Sequence, residues 1–495
     1  MKSLASRRAF LLQLAPKTER RIEGAILDDS HLRGHRLRDG QMRGGLREPR
    51  KAPLVIVGGG IAGLCAGWRL LQKGFRDFVI LEMEKQAGGN SRWGENEVSA
   101  YPWAAHYLPV PNRGSKLVRE LCTELGLLYE GEFEERHLCH SPQERLFLHG
   151  RWQEGLEPEV GLQKADREQF QRFAGLMQEQ AASGQYTVPW EPGAKASALD
   201  RMSMDDWLRE KGFDSPYLRW YVEYGCRDDY GSLAKDTSAW AGVHYFAARE
   251  HEDRGPLTWP EGNGWIVKQL LKKLAPHVVA GAMVTQVAIG ARGVRVLTET
   301  NDWESKGVIW AAPSYLLRYV MEGAPDTSGI IYSPWITANL TLDRMPRQAG
   351  TEFAWDNVIY DSPALGYVVA THQSLRTRID ESVWTWYYPL AAVAPAEGRK
   401  QLLARDWAWW REFILNDIGK AHRDIRQCVR RIDLMRFGHA MARPAPGWMF
   451  SPARAALAKW GGRMVLANSD LSGLSIFEEA QYRGVGAAER ILRVV

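Results

Sequence analysis

The sequence predicts an α/β fold built around a parallel sheet, and three observations carry that reading. Leu54-Val55-Ile56-Val57 is an uninterrupted apolar run, the pattern of a strand covered on both faces. It passes directly into Gly58-Gly59-Gly60-Ile61-Ala62-Gly63, after which Leu64, Ala66, Gly67, Leu70 and Leu71 keep helical spacing. A second apolar run, Phe78-Val79-Ile80-Leu81, then ends on Glu82. Strand, G-x-G-x-x-G, helix, strand and terminal acid in this order make a dinucleotide-binding unit.

Each position in the unit has a physical reason. Gly58 permits the tight turn, Gly60 lets a pyrophosphate approach the backbone, and Gly63 lets the helix pack closely on the sheet. Ile61 and Ala62 open the helix, where free N–H groups and the positive dipole end face the phosphates. Glu82, followed by Met83, is placed to accept hydrogen bonds from an adenosine ribose and would repel a 2′-phosphate. The unit by itself does not separate FAD from NAD.

The remaining composition is that of an ordinary globular protein: 495 residues, 45% hydrophobic and 25% charged. No apolar run reaches the roughly 20 residues of a membrane-spanning helix. Residues 1–50 hold 12 Lys and Arg against 6 Asp and Glu, so the net charge of +5 sits in this arm and the rest of the chain carries −1. A balanced body argues against nucleic acid as a partner. Five scattered cysteines (Cys65, Cys122, Cys139, Cys226, Cys428) form no pattern of a disulfide framework or a metal site. The 21 tryptophans are unusual and are read chiefly as core.

The arm itself begins with Ser6-Arg7-Arg8-Ala9-Phe10-Leu11, either a twin-arginine export signal or a short basic arm. Its apolar stretch, Ala9 to Ala15, is short, and no A-x-A-like cleavage site follows. The location is therefore exported if the signal is used and cytoplasmic otherwise. Residues 28–50 are expected to be an irregular lead-in on the surface.

Five stretches downstream share one pattern. Gly88-Gly89-Asn90-Ser91-Arg92 follows Glu82 in an E-x5-G-G arrangement. Trp259-Pro260-Glu261-Gly262-Asn263-Gly264 leads into a helical run, and Val308-Ile309-Trp310-Ala311-Ala312-Pro313 is a strand followed by A-x-P spacing. Met464 to Asp470 is a strand ending on an acid, and Glu478 to Ile491 is a helix. Together they resemble the flavin amine oxidase superfamily, which holds the monoamine oxidases, protoporphyrinogen oxidases and phytoene desaturases.

The resemblance implies an FAD-binding Rossmann-like domain assembled from residues 51–114, 259–313 and 451–495. It also implies a discontinuous α+β substrate domain of mixed sheet and helices, from 115–258 and 314–450. The helical patterns at 163–182 and 399–421 fit the latter. FAD would be held non-covalently, since Cys428 is badly placed for a covalent link. Gly88, Gly89, Asn90, Ser91 and Arg92 would wrap its pyrophosphate and ribityl chain. Val284, in a stretch alternating from Val278 to Val296, would lie near the adenine, with Ala312 on the returning strand. Asp470 would contact the ribityl region, and backbone N–H groups at Glu479 and Ala480 would face the ring.

The family removes hydride from a C–H bond to flavin N5, and its catalytic side chains are few. Candidates here are Trp103 and His106 in the stretch passing the ring, Arg318 after the A-x-P segment, His372, and His439 ahead of the last strand. The sequence departs from many amine oxidases in having no lysine between Lys306 and Lys400. Glu223 to Gly231 concentrates acids and aromatics that either receive a cationic amine or form a solvated loop. Phe477 lies near one expected position of an aromatic cage. The expected function is oxidation of an organic amine, with oxygen, a quinone or a redox protein as acceptor. A desaturase of an isoprenoid- or porphyrinogen-like substrate with a peripheral membrane contact, and a flavin-binding partner without turnover, are the alternatives.

Overall fold

The computed structural model describes residues 21–28, 30–42, 49–190, 197–250, 254–348, 350–374 and 378–495. The arginine pair Arg7-Arg8 lies outside them. Two lobes are built on two main sheets. The first is five-stranded and parallel, in the order Val278–Val279, Phe78–Leu81, Leu54–Val57, Gly307–Trp310, Met464–Leu466. Every residue of Leu54–Val57, Phe78–Leu81 and Gly307–Trp310 is buried, as the unbroken apolar runs require. The α/β class and the Rossmann-like parallel sheet are as expected.

Helix Ile61–Gln72 starts at the glycine turn and packs between helices Gly264–Leu274 and Phe477–Ile491. Backbone comes so close there that side chains are excluded. A Cβ on Gly484 would lie 2.1 Å from the Ala62 carbonyl oxygen. Gly484→Ala is therefore expected to destabilise the flavin-free protein by about 1–3 kcal/mol, read by thermal unfolding. Gly486→Ala, where the added methyl meets nothing within 4 Å, should leave the transition in place.

The second sheet has eight strands, in the order Glu23–Ile26, Val429–Arg443, Ile331–Leu342, Ser382–Pro389, Tyr367–Val369, Asp356–Ile359, Glu144–Leu148, Arg151–Glu154. It is mixed: the Glu23–Ile26 and Glu144–Leu148 strands run parallel to their inner neighbours, and the other pairs are antiparallel. Helices Lys164–Ala182, Met204–Glu210, Pro216–Tyr230 and Ala239–Ala247 belong to this lobe. Among the described residues no helix is long and apolar enough to cross a membrane.

Four expectations need correction. Residues 28–50 are not simply irregular, because Ser30 is followed by helix His31–Arg38, and the preceding Glu23–Ile26 is a sheet strand. The 399–421 pattern is two helices, Pro395–Ala404 and Trp407–Ile418. Asp406 divides them, its extended backbone and side chain capping Trp409 N at 2.8 Å. The alternating stretch from Val278 breaks into Val278–Val279, Val284–Ile289 and Val294–Thr298, the last two an antiparallel pair. Helix Lys116–Glu124, placed by sequence with the substrate domain, turns Val118, Leu121 and Cys122 into the core of the dinucleotide lobe.

Candidate active site

A single cavity of about 1170 Å³ is lined by residues of both lobes. Ordinary small-molecule sites span roughly 300–1,000 Å³, so there is room for a dinucleotide and a substrate together.

The dinucleotide end is made of backbone. Gly58, at φ +102°, turns the chain out of its strand, and a Cβ there would meet Ala312 N at 2.8 Å. Gly60 differs: a Cβ would find only Gly89 Cα, at 3.8 Å, so the turn borders open space. Glu82 accepts Gly59 N–H on Oε2 and Glu84 N–H on Oε1, each at 2.8 Å. Each carboxylate oxygen keeps a lone pair for a ribose hydroxyl. Asp470 Oδ2 accepts the Ser314 N–H (2.8 Å) and the Tyr332 hydroxyl (2.6 Å), holding the last strand's acid in place. An open cradle between glycines, a free helix N-terminus and a carboxylate at the next strand end fit an adenine dinucleotide.

Of the residues expected to bind it, Gly58, Gly60, Ile61, Ala62, Glu82, Met83, Gly89, Asn90, Ser91, Arg92, Val284, Ala312, Asp470 and Ala480 line the cavity. Three do not. Gly63 has a packing role, with a would-be Cβ 1.9 Å from Gly58 O, and Gly88 fastens the second loop by donating to Gly59 O at 2.8 Å. The Glu479 side chain braces the lobe, accepting from Trp190 N and Ser472 Oγ at 2.5 Å each. Burial pushes it up to about 7.

Another part of the cavity wall is acidic and aromatic. Helix Pro216–Tyr230 carries Tyr224 and Asp228 one turn apart, with Asp229 beside them, and Gly231 caps it in the left-handed conformation. All three line the cavity, as does Asp356 from the sheet, where Asp356 stands opposite Glu144. Burial, then the charges of Asp229 and Glu144, push Asp228 up to about 8. Burial holds Asp229 at about 6 despite Arg249, and burial with Glu144 and Asp228 raises Asp356 well above the carboxylate range. Arg249 is bound to Glu478 at 2.6 Å. Thr337 Oγ1 and Trp335 Nε1, buried at the cavity wall, have no hydrogen-bond partner among the described residues. No cluster of these residues has the donors to hold a metal ion.

The catalytic candidates separate. His106 lines the cavity, its ring 4.7 Å from Tyr387 and 4.9 Å from Tyr107, with Nδ1 3.2 Å from Ala104 O. Burial pushes it down to about 4, so it is neutral near pH 7 and serves as a hydrogen-bonding wall. His439 also lines the cavity, stacked on Tyr315 at 4.1 Å, and burial with Arg399 and Arg318 lowers it to about 3. Arg318 is exposed at the same wall, over the Tyr319 ring. Trp103 and His372 are outside. Trp103 packs edge-on against Tyr101 in a small core, and His372 pairs with His140 O at 2.9 Å to fasten a loop. Tyr107 lies in the stretch passing the ring and Tyr387 in a tryptophan-rich run read chiefly as core, and both line the cavity; Asp356, Trp335 and Thr337 were not expected. The alternating polar positions Thr337, Asn339 and Thr341 in an apolar strand were the one signal for Thr337.

Comparison with known proteins agrees with this architecture. Residues 56–125 match the family described as NAD(P)-binding Rossmann-like domain. A Baeyer–Villiger monooxygenase of Penicillium patulum is 44% identical over 52 residues, 10% of this chain and 8% of that protein's length. Among solved structures, a doubly substituted putrescine oxidase superposes with TM-score 0.69 at 16% identity, covering 90% of this chain and all of that one. Cyclohexylamine oxidase of Brevibacterium oxydans gives 0.68 at 14%, covering 90% and 99%. The fatty acid isomerase of P. acnes gives 0.63 at 16%, covering 89% and 98%. The chain has the fold of these solved structures, with a Rossmann-like dinucleotide-binding lobe.

Proposed function

We propose that the protein is an FAD-dependent oxidoreductase that oxidises an organic amine. The observation that carries this reading is the set of three acids, Asp228, Asp229 and Asp356, lining the same cavity as the dinucleotide cradle. Enclosed acids crowded together at one wall, with Arg249 the cation beside Asp229, favour a cation over an apolar chain or ring. The names of two structural neighbours, putrescine oxidase and cyclohexylamine oxidase, support an amine substrate.

Bound in the cradle, FAD would supply a two-electron acceptor for hydride from the carbon next to nitrogen. The chain's own part is placement. Gly58, Gly60 and the start of helix Ile61–Gln72 would hold the pyrophosphate, and Glu82 the ribose. Asp229, joined by Asp228 as pH rises through about 8, would draw the ammonium inward, while Tyr387, Tyr107 and neutral His106 would wall the reacting carbon from water. Attachment would be non-covalent, since none of the five thiols lines the cavity.

The test is anaerobic titration of the FAD-loaded protein with a monoamine, a diamine and an apolar polyene, following the visible flavin absorbance. Bleaching by an amine alone supports the reading; bleaching by the polyene alone, or by nothing, removes it. A quaternary ammonium, whose charge does not titrate, should bind more tightly as pH rises from 6 to 8, because Asp229 (about 6) and Asp228 (about 8) ionise in that window. Flat affinity across the window, measured by titration calorimetry, would remove these acids from the site.

A further inference from the structure

Residues ahead of the glycine motif reach both lobes. Strand Glu23–Ile26 is pinned to the substrate sheet, with Glu23 opposite Arg431 and Ile26 opposite Leu434. Leu27 N donates to Leu434 O at 2.9 Å, and Arg436 Nε donates to Asp28 at 3.0 Å. On the other lobe, the Ser30 hydroxyl donates to Glu84 at 2.6 Å. Arg33 donates to Met83 O (2.9 Å) and Gly281 O (3.0 Å), and also pairs with Glu299. These acceptors flank Glu82, whose carbonyl takes the Ala282 N–H at 2.8 Å. His31, Gly34, His35 and Leu37 line the same cavity as Met83 and Val284.

We propose that helix His31–Arg38 is a further part of the cofactor site: the outer wall of its adenosine end, a strap that must release Met83 and Gly281 before a bound dinucleotide leaves. Arg33 is its latch and a positioning residue. Among the described residues its guanidinium bonds two carbonyls and a carboxylate of the dinucleotide lobe, so losing it loosens the wall without changing the cradle. The proposal rests on FAD occupying the cavity.

The test uses the full chain loaded with FAD, following the rise in flavin fluorescence on dilution. Arg33→Ala is expected to release FAD at least tenfold faster than the parent. Arg36→Ala, exposed on the same helix and away from the cavity, should release it at the parent rate. In the unsubstituted protein, trypsin should cut after Arg33, Arg36 and Arg38 several-fold faster without FAD than with it; this arm decides the matter if Arg33→Ala does not fold. Equal release from Arg33→Ala and the parent, or cleavage indifferent to FAD, overturns the strap alone. Protein that stays folded but takes up no FAD overturns the cofactor assignment and the strap with it.

Discussion

Gly60→Val is expected to give a folded protein without flavin. The substitution separates fold from ligand because of where Gly60 stands. Its φ is −76°, an angle any residue adopts, and it caps helix Ile61–Gln72 from extended backbone. An added Cβ meets only Gly89 Cα at 3.8 Å, so the protein itself offers no clash. The space the branched side chain enters is that of the pyrophosphate. Thermal unfolding of the flavin-free variant should match the parent, while FAD affinity falls at least 100-fold, about 2.7 kcal/mol or more. Retention of yellow flavin through gel filtration would place the cofactor elsewhere.

Asp228→Asn should change stability and substrate binding in opposite directions. Asp228 titrates near 8 in the folded protein against 3.8 for an ordinary aspartate. A carboxyl raised on folding holds its proton in the native state, so its contribution is fully present below about pH 4 and is lost as pH rises through 8. Asparagine keeps the shape and never ionises. The variant should unfold with the parent at pH 4 and a few degrees higher, roughly, at pH 8.5. Its KM for a cationic amine should rise at least tenfold at that pH, since the charge that receives the ammonium is gone. Unchanged KM with raised stability would make Asp228 a structural acid and remove it from recognition.

The dinucleotide end was legible in the sequence because its parts are backbone parts. A phosphate cradle needs glycines at fixed spacing, a buried strand before them and an acid at the next strand end, all within residues 54–82. The substrate end has no such local grammar. Asp356 faces the cavity because its strand pairs in register with Glu144, and nothing in Trp355-Asp356-Asn357-Val358 announces that partner. Trp103 and His106, three residues apart, fall in a core and in the cavity respectively, a division set by the sheet packed over them. The acidic run ending at Gly231 was visible, but only the helix Pro216–Tyr230 shows which of its acids face inward.

The parallel sheet has a consequence for how the protein is made. Its strand Gly307–Trp310 is flanked by Leu54–Val57 from near the start of the chain and Met464–Leu466 from near its end. A ribosome adding about 5–20 residues per second releases the last strand roughly 20–80 s after the first. Gly307–Trp310, once made, waits for Met464–Leu466 over roughly 150 further residues, about 8–30 s at that rate, and helix Ile61–Gln72 lacks helix Phe477–Ile491 for the whole interval. Helix Ile61–Gln72, which opens the cofactor cradle, is therefore packed on both sides only after Phe477–Ile491 has been made.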